Sequence, residues 1–297
     1  MTEFKSSNKQ RNMIFWLASY PKSGNTWFRV FLTCLLSGDQ TKVDINKLEH
    51  GQYPNNRLNF DELNGFSSSN LSAAEMNQIR PTGLHWISQN TNKKLFFKTH
   101  SAFDYNQDQT PVLGSQKTGI AGALYFVRNP LDVCISYAHY NDSSIDATIK
   151  LMADNKHMVH VENTRAFIPE KISSWSQNVN GWVSAPEIST MVIRYEDMLN
   201  QPIATFRRAC EFLQLGAADH AIQQAIEACH FEQLQRQERN GRFIEKSEMS
   251  SHFFRKGIAG DWLTVLSKSQ VDQVINDHAD MMQRFGYLDQ AGNPKVS

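Results

Sequence analysis

One short segment near the N-terminus constrains the fold more than any other. Met13-Ile14-Phe15-Trp16-Leu17-Ala18 is a continuous apolar run that stops abruptly at Ser19-Tyr20-Pro21-Lys22-Ser23-Gly24. A run of this kind suits a strand buried on both faces. The polar stretch after it is turn-forming. A helical pattern then begins, with Phe28, Phe31, Leu32, Leu35 and Leu36 on one face and Gly38 as the expected stop. Strand, tight polar loop and helix in that order make the front half of a βαβ unit.

The rest of the chain repeats the theme. Leu95-Phe96-Phe97 reads as a second buried strand running into Lys98-Thr99-His100, and Ala123–Val127 as a third running into Arg128-Asn129-Pro130. Asn129 suits an N-cap and Pro130 a first helical residue, and Val133, Ile135, Ser136, Tyr137 and Tyr140 follow on that helix. Thr190–Arg194 reads as a fourth strand, after a helix expected over 168–182. Gln201-Pro202 opens another helix, and helical patterns recur over 218–229 and 268–285. Residues 39–92 are rich in Asn, Gln and Ser, with Pro54 and Pro81 as punctuation, and predict irregular structure with one or two short helices; 101–119 reads as loop. No repeat or linker divides the chain, so a single domain over 1–297 is expected, with the polar residues 1–11 flexible. Alternating strands and helices predict an α/β fold in three layers: a mostly parallel sheet with helices on both faces. Ligands of such folds bind at the C-terminal ends of the strands. Lys22, Lys98, His100, Arg128 and Tyr195 all stand at expected strand ends.

Composition narrows the partners. Lys+Arg and Asp+Glu are both 30, so the formal net charge is zero, which argues against a general nucleic-acid binder. No apolar run approaches the ~20 residues of a membrane span, and Met1–Arg11 lacks an apolar signal core. Cys34, Cys134, Cys210 and Cys229 are widely spaced and form no CxxC pair, which fits reduced thiols in a cytoplasmic protein. Among the histidines, His157 with His160, and His139 near Cys134, have the only suggestive spacings; without further ligands nearby, no metal site is expected.

Taken by itself, Tyr20–Trp27 reads either as an ordinary turn and N-cap or as an anion cradle. Backbone N–H groups at a helix N-terminus bind anions. Gly24 permits close backbone approach, Lys22 adds a full charge, and Ser23 and Thr26 add hydroxyls. The Walker A pattern G-x-x-x-x-G-K-[ST] is absent, because Lys22 precedes the only glycine of the loop. That disfavours a P-loop kinase of small molecules, the principal alternative enzyme. A nucleotide-binding protein without activity is the other alternative, and the presence of both Lys22 and His100 counts against it.

The loop YPKSGNTW resembles the YPKSGTTW motif of the cytosolic-type sulfotransferases, which use 3′-phosphoadenosine 5′-phosphosulfate as donor. Further motifs follow in family order: Phe126–Asp132 with Ser136-Tyr137, Arg194-Tyr195-Glu196-Asp197, and Phe254-Arg255-Lys256-Gly257-Ile258-Ala259-Gly260-Asp261-Trp262. Lys98-Thr99-His100 is similar to the family's K-T-H segment. Two departures stand out. Ser101-Ala102-Phe103 replaces the usual Leu-Pro after K-T-H, and Trp262–Leu266 lacks the lysine of the family's dimer segment, leaving monomer or homodimer open.

The resemblance implies a P-loop-like nucleotide-binding fold. It also implies a sulfuryl transfer yielding adenosine 3′,5′-bisphosphate, with no metal, because Lys and Arg supply the positive charge. Lys22, Ser23, Gly24, Asn25, Thr26 and Trp27 would form the phosphosulfate cradle. Arg128, Ser136, Arg255, Lys256 and Gly257 would hold the 3′-phosphate. Trp27, Phe231 and Tyr195 would offer flat faces to adenine. Lys22 would neutralise the leaving oxygen, Lys98 would support the sulfuryl oxygens, and His100 would be the general base. The acceptor would be a small molecule bearing a hydroxyl or amine; a carbohydrate or natural product is an alternative within the family. Segments 39–92, 101–119 and 141–168 would wall its site. Tyr53, Phe66, Phe103, Tyr105 and Tyr140 would either line it or simply pack.

Overall fold

The computed structural model describes residues 13–51, 56–160, 166–241, 243–248 and 250–296. Residues 1–11, expected to be flexible, and Tyr53 and Pro54 lie outside these. In chain order the elements are β1 (Ile14–Ser19), α1 (Asn25–Leu36), α2 (Arg57–Asn64), α3 (Ala73–Asn90), β2 (Leu95–Thr99), β3 (Ile120–Val127), α4 (Pro130–Asn141), α5 (Ile145–Ala153), β4 (Met158–Val159), β5 (Glu170–Lys171), α6 (Trp175–Ser184), β6 (Thr190–Arg194), α7 (Tyr195–Asn200), α8 (Pro202–Phe212), α9 (Asp219–Ala228), α10 (Phe231–Asn240), α11 (Trp262–Val265) and α12 (Lys268–Arg284).

The four long strands form one parallel sheet in the order β2-β1-β3-β6, and β4 pairs antiparallel with β5. Every residue of the central strand β1 is buried, because helices cover both faces. Ile14, Trp16 and Ala18 pack with Leu131 and Ile135 of α4, Met152 of α5, Trp175 and Trp182 of α6, and Met282 of α12. Phe15 and Leu17 face the other way, toward Phe28 and Phe31 of α1, Phe206 of α8 and Ile222 of α9. Burying side chains of this size contributes roughly 1.5–3 kcal/mol each. The sheet therefore cannot slip by one residue without turning two apolar sets into the wrong layers.

Register brings the strand ends level. Ala18 pairs with Thr99, Ser19 with Phe126, and Val127 with Arg194. The residues immediately beyond each strand, from Tyr20, His100, Arg128 and Tyr195 onward, thus emerge at one edge of the molecule.

Three expectations need correction. The helix placed over 168–182 begins only at Trp175, because Ser173 takes a left-handed φ of 64° and Ser174 caps the helix by accepting from the Gln177 N–H. Helix α1 ends at Leu36 with Ser37 as its cap, so Gly38 is not the stop. Residues 73–90 form one 18-residue helix with Pro81 inside it. A reciprocal Ser72–Glu75 capping box starts that helix, and burial of Met76, Arg80 and Leu84 carries it past the proline.

Candidate active site

The loop after β1 turns tightly. Lys22 and Gly24 both take positive φ, 68° and 96°. Gly24 is also the N-cap of α1, and a Cβ built there would come within 2.7 Å of the Tyr195 ring and 2.8 Å of Met198. Only glycine combines that backbone with that approach. The Asn25 side chain ties the loop to the strand it left, donating to the Leu17 carbonyl (2.8 Å) and to Ser19 Oγ (3.3 Å). Ser23 Oγ is buried with no hydrogen-bond partner.

Lys22 is half-buried, with its ammonium over the rings of Phe253 (4.0 Å) and Tyr140 (4.6 Å). Burial, together with the nearby cations of Arg128, Lys98 and Arg255, lowers its pKa from 10.5 to about 7.

Arg128 lies between two loops. Its guanidinium donates to the carbonyl of Lys22 (3.2 Å) and to that of Ile258 (3.0 Å), and it stacks on the Tyr195 ring at 4.3 Å. Its Nε is buried without a partner. Helix α4 fixes the second loop through Asp132, which accepts from the backbone N–H of Gly260 (2.8 Å) and of Trp262 (3.1 Å). Ser136 stands one turn beyond Asp132 and Tyr140 one turn beyond Ser136, so all three share one helix face. Ser136 is thereby placed between the residue that holds the 260–262 loop and the ring that meets Lys22. Arg255 (2.5 Å) and Lys256 (2.6 Å) both donate to Asp261. Burial alone would raise the Asp261 pKa, but these two cations hold it below the usual range. Gly257, at φ 66°, lies so close under the Phe231 ring that a Cβ would overlap it.

At the end of β2, His100 Nδ1 sits 2.8 Å from the Ser19 carbonyl oxygen and 3.1 Å from Ser19 Oγ. A carbonyl can only accept, so Nδ1 carries the proton and Nε2 presents its lone pair. Burial, then the Lys98 charge, lowers the His100 pKa to about 3, which keeps the ring neutral. Asn178 of α6 holds the His100 carbonyl (2.9 Å) and accepts from Tyr125 (2.7 Å).

The sequence-derived candidates therefore converge, with qualifications. Trp27 is half-buried; its indole donates to the Cys229 carbonyl (3.1 Å) and meets the Tyr195 ring edge-on at 6.0 Å. Thr26 is buried at the start of α1. Lys98 donates to Glu245 at 3.2 Å. Of the aromatic residues weighed for the acceptor site, Tyr140 meets Lys22. Phe103 is instead buried against Trp182 (5.3 Å), Tyr105 bonds Glu187 at the surface, and Phe66 is exposed. Glu245 and Asn178 escaped sequence reasoning, because no motif or spacing marks either one. The four cysteines are buried free thiols. Among the described residues, no cluster of three or more His, Cys, Asp or Glu is placed to hold a metal ion, and no helix is long and apolar enough to cross a membrane.

Comparison with known proteins gives the family. The sulfotransferase domain profile matches residues 14–286. This chain belongs to the sulfotransferase family. It is 25% identical to cytosolic sulfotransferase 15 of Arabidopsis thaliana over 271 residues, covering 87% of this chain and 68% of that protein. It is 24% identical to flavonol 3-sulfotransferase of Flaveria bidentis, covering 87% and 78%. The fold matches mouse sulfotransferase SULT7A1, crystallised with PAP, at a TM-score of 0.59 and 18% identity over 95% of this chain and 87% of that one. It also matches retinol dehydratase in complex with androsterone and PAP, at 0.57 and 18% over 92% and 81%.

Proposed function

We propose that this protein transfers a sulfuryl group from 3′-phosphoadenosine 5′-phosphosulfate to a hydroxyl or amine of a small-molecule acceptor, with His100 as base. The observation that carries this reading is the bond from His100 Nδ1–H to the Ser19 carbonyl. It leaves Nε2 as a proton acceptor next to a loop built for anions. Two neighbouring folds were solved with PAP, the bisphosphate product of such a donor.

The residues fit that donor. Arg128 Nε and Ser23 Oγ are buried polar atoms lacking a partner, which an anion would satisfy. Gly24 and Gly257 let the rings of Tyr195 and Phe231 close directly onto the two loops that carry Lys22 and Lys256. Lys22, Arg128, Arg255 and Lys256 supply positive charge in a chain with no net charge.

The acceptor oxygen attacks sulfur, forming one S–O bond as the S–O bond to the bisphosphate breaks. The electron pair stays on the leaving phosphate oxygen, where Lys22 meets the charge, and the acceptor's proton passes to His100 Nε2. Catalysis of this kind rests on positioning and on charge stabilisation. A base held near pKa 3 by burial and Lys98 is weak, but several negative charges nearby would offset that field and raise it.

His100→Asn tests the assignment. Turnover with an alcohol acceptor is expected to fall ~10²–10⁴-fold, with less loss for an acidic phenol and near-normal affinity for the bisphosphate. An equal deficit for every acceptor, or none, would refute the role of base.

A further inference from the structure

Glu245 lies in the segment between α10 and the Arg255-Lys256 turn, and its carboxylate is shared by two cations from different layers. Arg29 of α1 donates to it through Nη1 at 2.8 and 2.9 Å, and Lys98 of β2 donates at 3.2 Å. The Arg29 side chain is only 4% exposed, and that of Lys98 is 16% exposed. Gly51, at φ 76°, walls the Arg29 stem so closely that a Cβ there would lie 2.6 Å from Nε. Arg29 is thus a fixed post, and its Nη1, shared between both carboxylate oxygens, fixes the carboxylate in turn. Burial alone would raise the Glu245 pKa, but Lys98 and Arg29 bring it down to about 2, so the group is ionised.

A lysine ends in a compact charge on four flexible carbons and does not orient itself. Lys98 stands two residues before His100. Resting on the function proposed above, we infer that Glu245 is a positioning residue: anchored by Arg29, it holds the Lys98 ammonium at the edge of the reaction site, aimed at the sulfuryl oxygens. Glu245 touches neither substrate and acts only through Lys98. When the sulfuryl group arrives, the ammonium has three donors to divide between the carboxylate and the new oxygens.

Glu245→Gln keeps the shape and removes the charge. Turnover of labelled donor with 2-naphthol is expected to fall roughly ten- to hundredfold, the range for a lost charge-assisted contact. The affinity for adenosine 3′,5′-bisphosphate is expected to change by less than about threefold, because Glu245 does not reach the nucleotide. Lys98→Met and the double variant complete the cycle. If Glu245 acts through Lys98, its substitution costs nothing further once Lys98 is gone. A role confined to propping the 243–256 segment would leave the deficit undiminished in the Lys98→Met background and would weaken bisphosphate binding. That result, or a Glu245→Gln enzyme as fast as wild type or faster, overturns the inference. A wild-type protein that transfers no sulfuryl group to any acceptor overturns the proposed reaction instead, and is told apart by the first measurement.

Discussion

The free protein holds Lys22 at a pKa of about 7, chiefly by burial and then by the cations of Arg128, Lys98 and Arg255. A bound polyanion reverses that balance, because an opposite charge favours the ammonium. Binding the bisphosphate must therefore take up a proton wherever the free site has lost one. The sign follows: affinity is fully present below pH 7 and declines as pH rises toward the pKa of the complex. For a complex pKa of about 10 or more, uptake is about 0.1 proton at pH 6 and about 0.9 at pH 8, and affinity falls roughly tenfold between them. Titration calorimetry with adenosine 3′,5′-bisphosphate, in two buffers of different ionisation enthalpy, measures the uptake directly. The same titration on Lys22→Met isolates the lysine, since ionisation of the ligand's own phosphates is common to both proteins. Equal uptake by wild type and Lys22→Met at pH 8 would refute the reasoning. It would mean that the contacts with Phe253 and Tyr140 keep Lys22 charged despite its burial.

Arg128→Ala is expected to weaken the bisphosphate ~10–100-fold while leaving adenosine 5′-phosphate nearly unaffected. Equal losses for the two nucleotides in a binding titration would remove Arg128 from the 3′-phosphate. Gly24→Ala forces a Cβ into the Tyr195 ring at a left-handed φ, and is expected to cost roughly 1 kcal/mol or more. A lower thermal midpoint and lost bisphosphate binding would show it, and an unchanged midpoint would contradict the tight fit of the loop.

The strand ends were legible because each adjoins an apolar run buried on both faces, and such runs need little help from the rest of the chain. The start of α4 was legible for a local reason too: the Asn129 side chain does accept from the Leu131 N–H, with Pro130 behind it. Helix α3 was hidden because Pro81 reads as a stop, whereas burial of its neighbours outweighs the missing N–H. Helix α10 was hidden because only Phe231 and Leu234 among its ten residues are apolar, too few to stand out as a helical stripe. Glu245 could not be found at all. It lies 147 residues from Lys98 and 216 from Arg29, and only the folded chain makes them neighbours.

The hydrogen bond that aims His100 ends on the main chain of Ser19. A substitution at position 19 can remove the hydroxyl 3.1 Å from the ring, but the carbonyl at 2.8 Å remains whatever side chain stands there. The tautomer of His100 is therefore buffered against sequence drift. No side-chain scan will expose the group responsible, and covariation with His100 would not reveal it. Only a change in the backbone itself, such as an ester in place of an amide or a shift of the whole β1 end, can reach it.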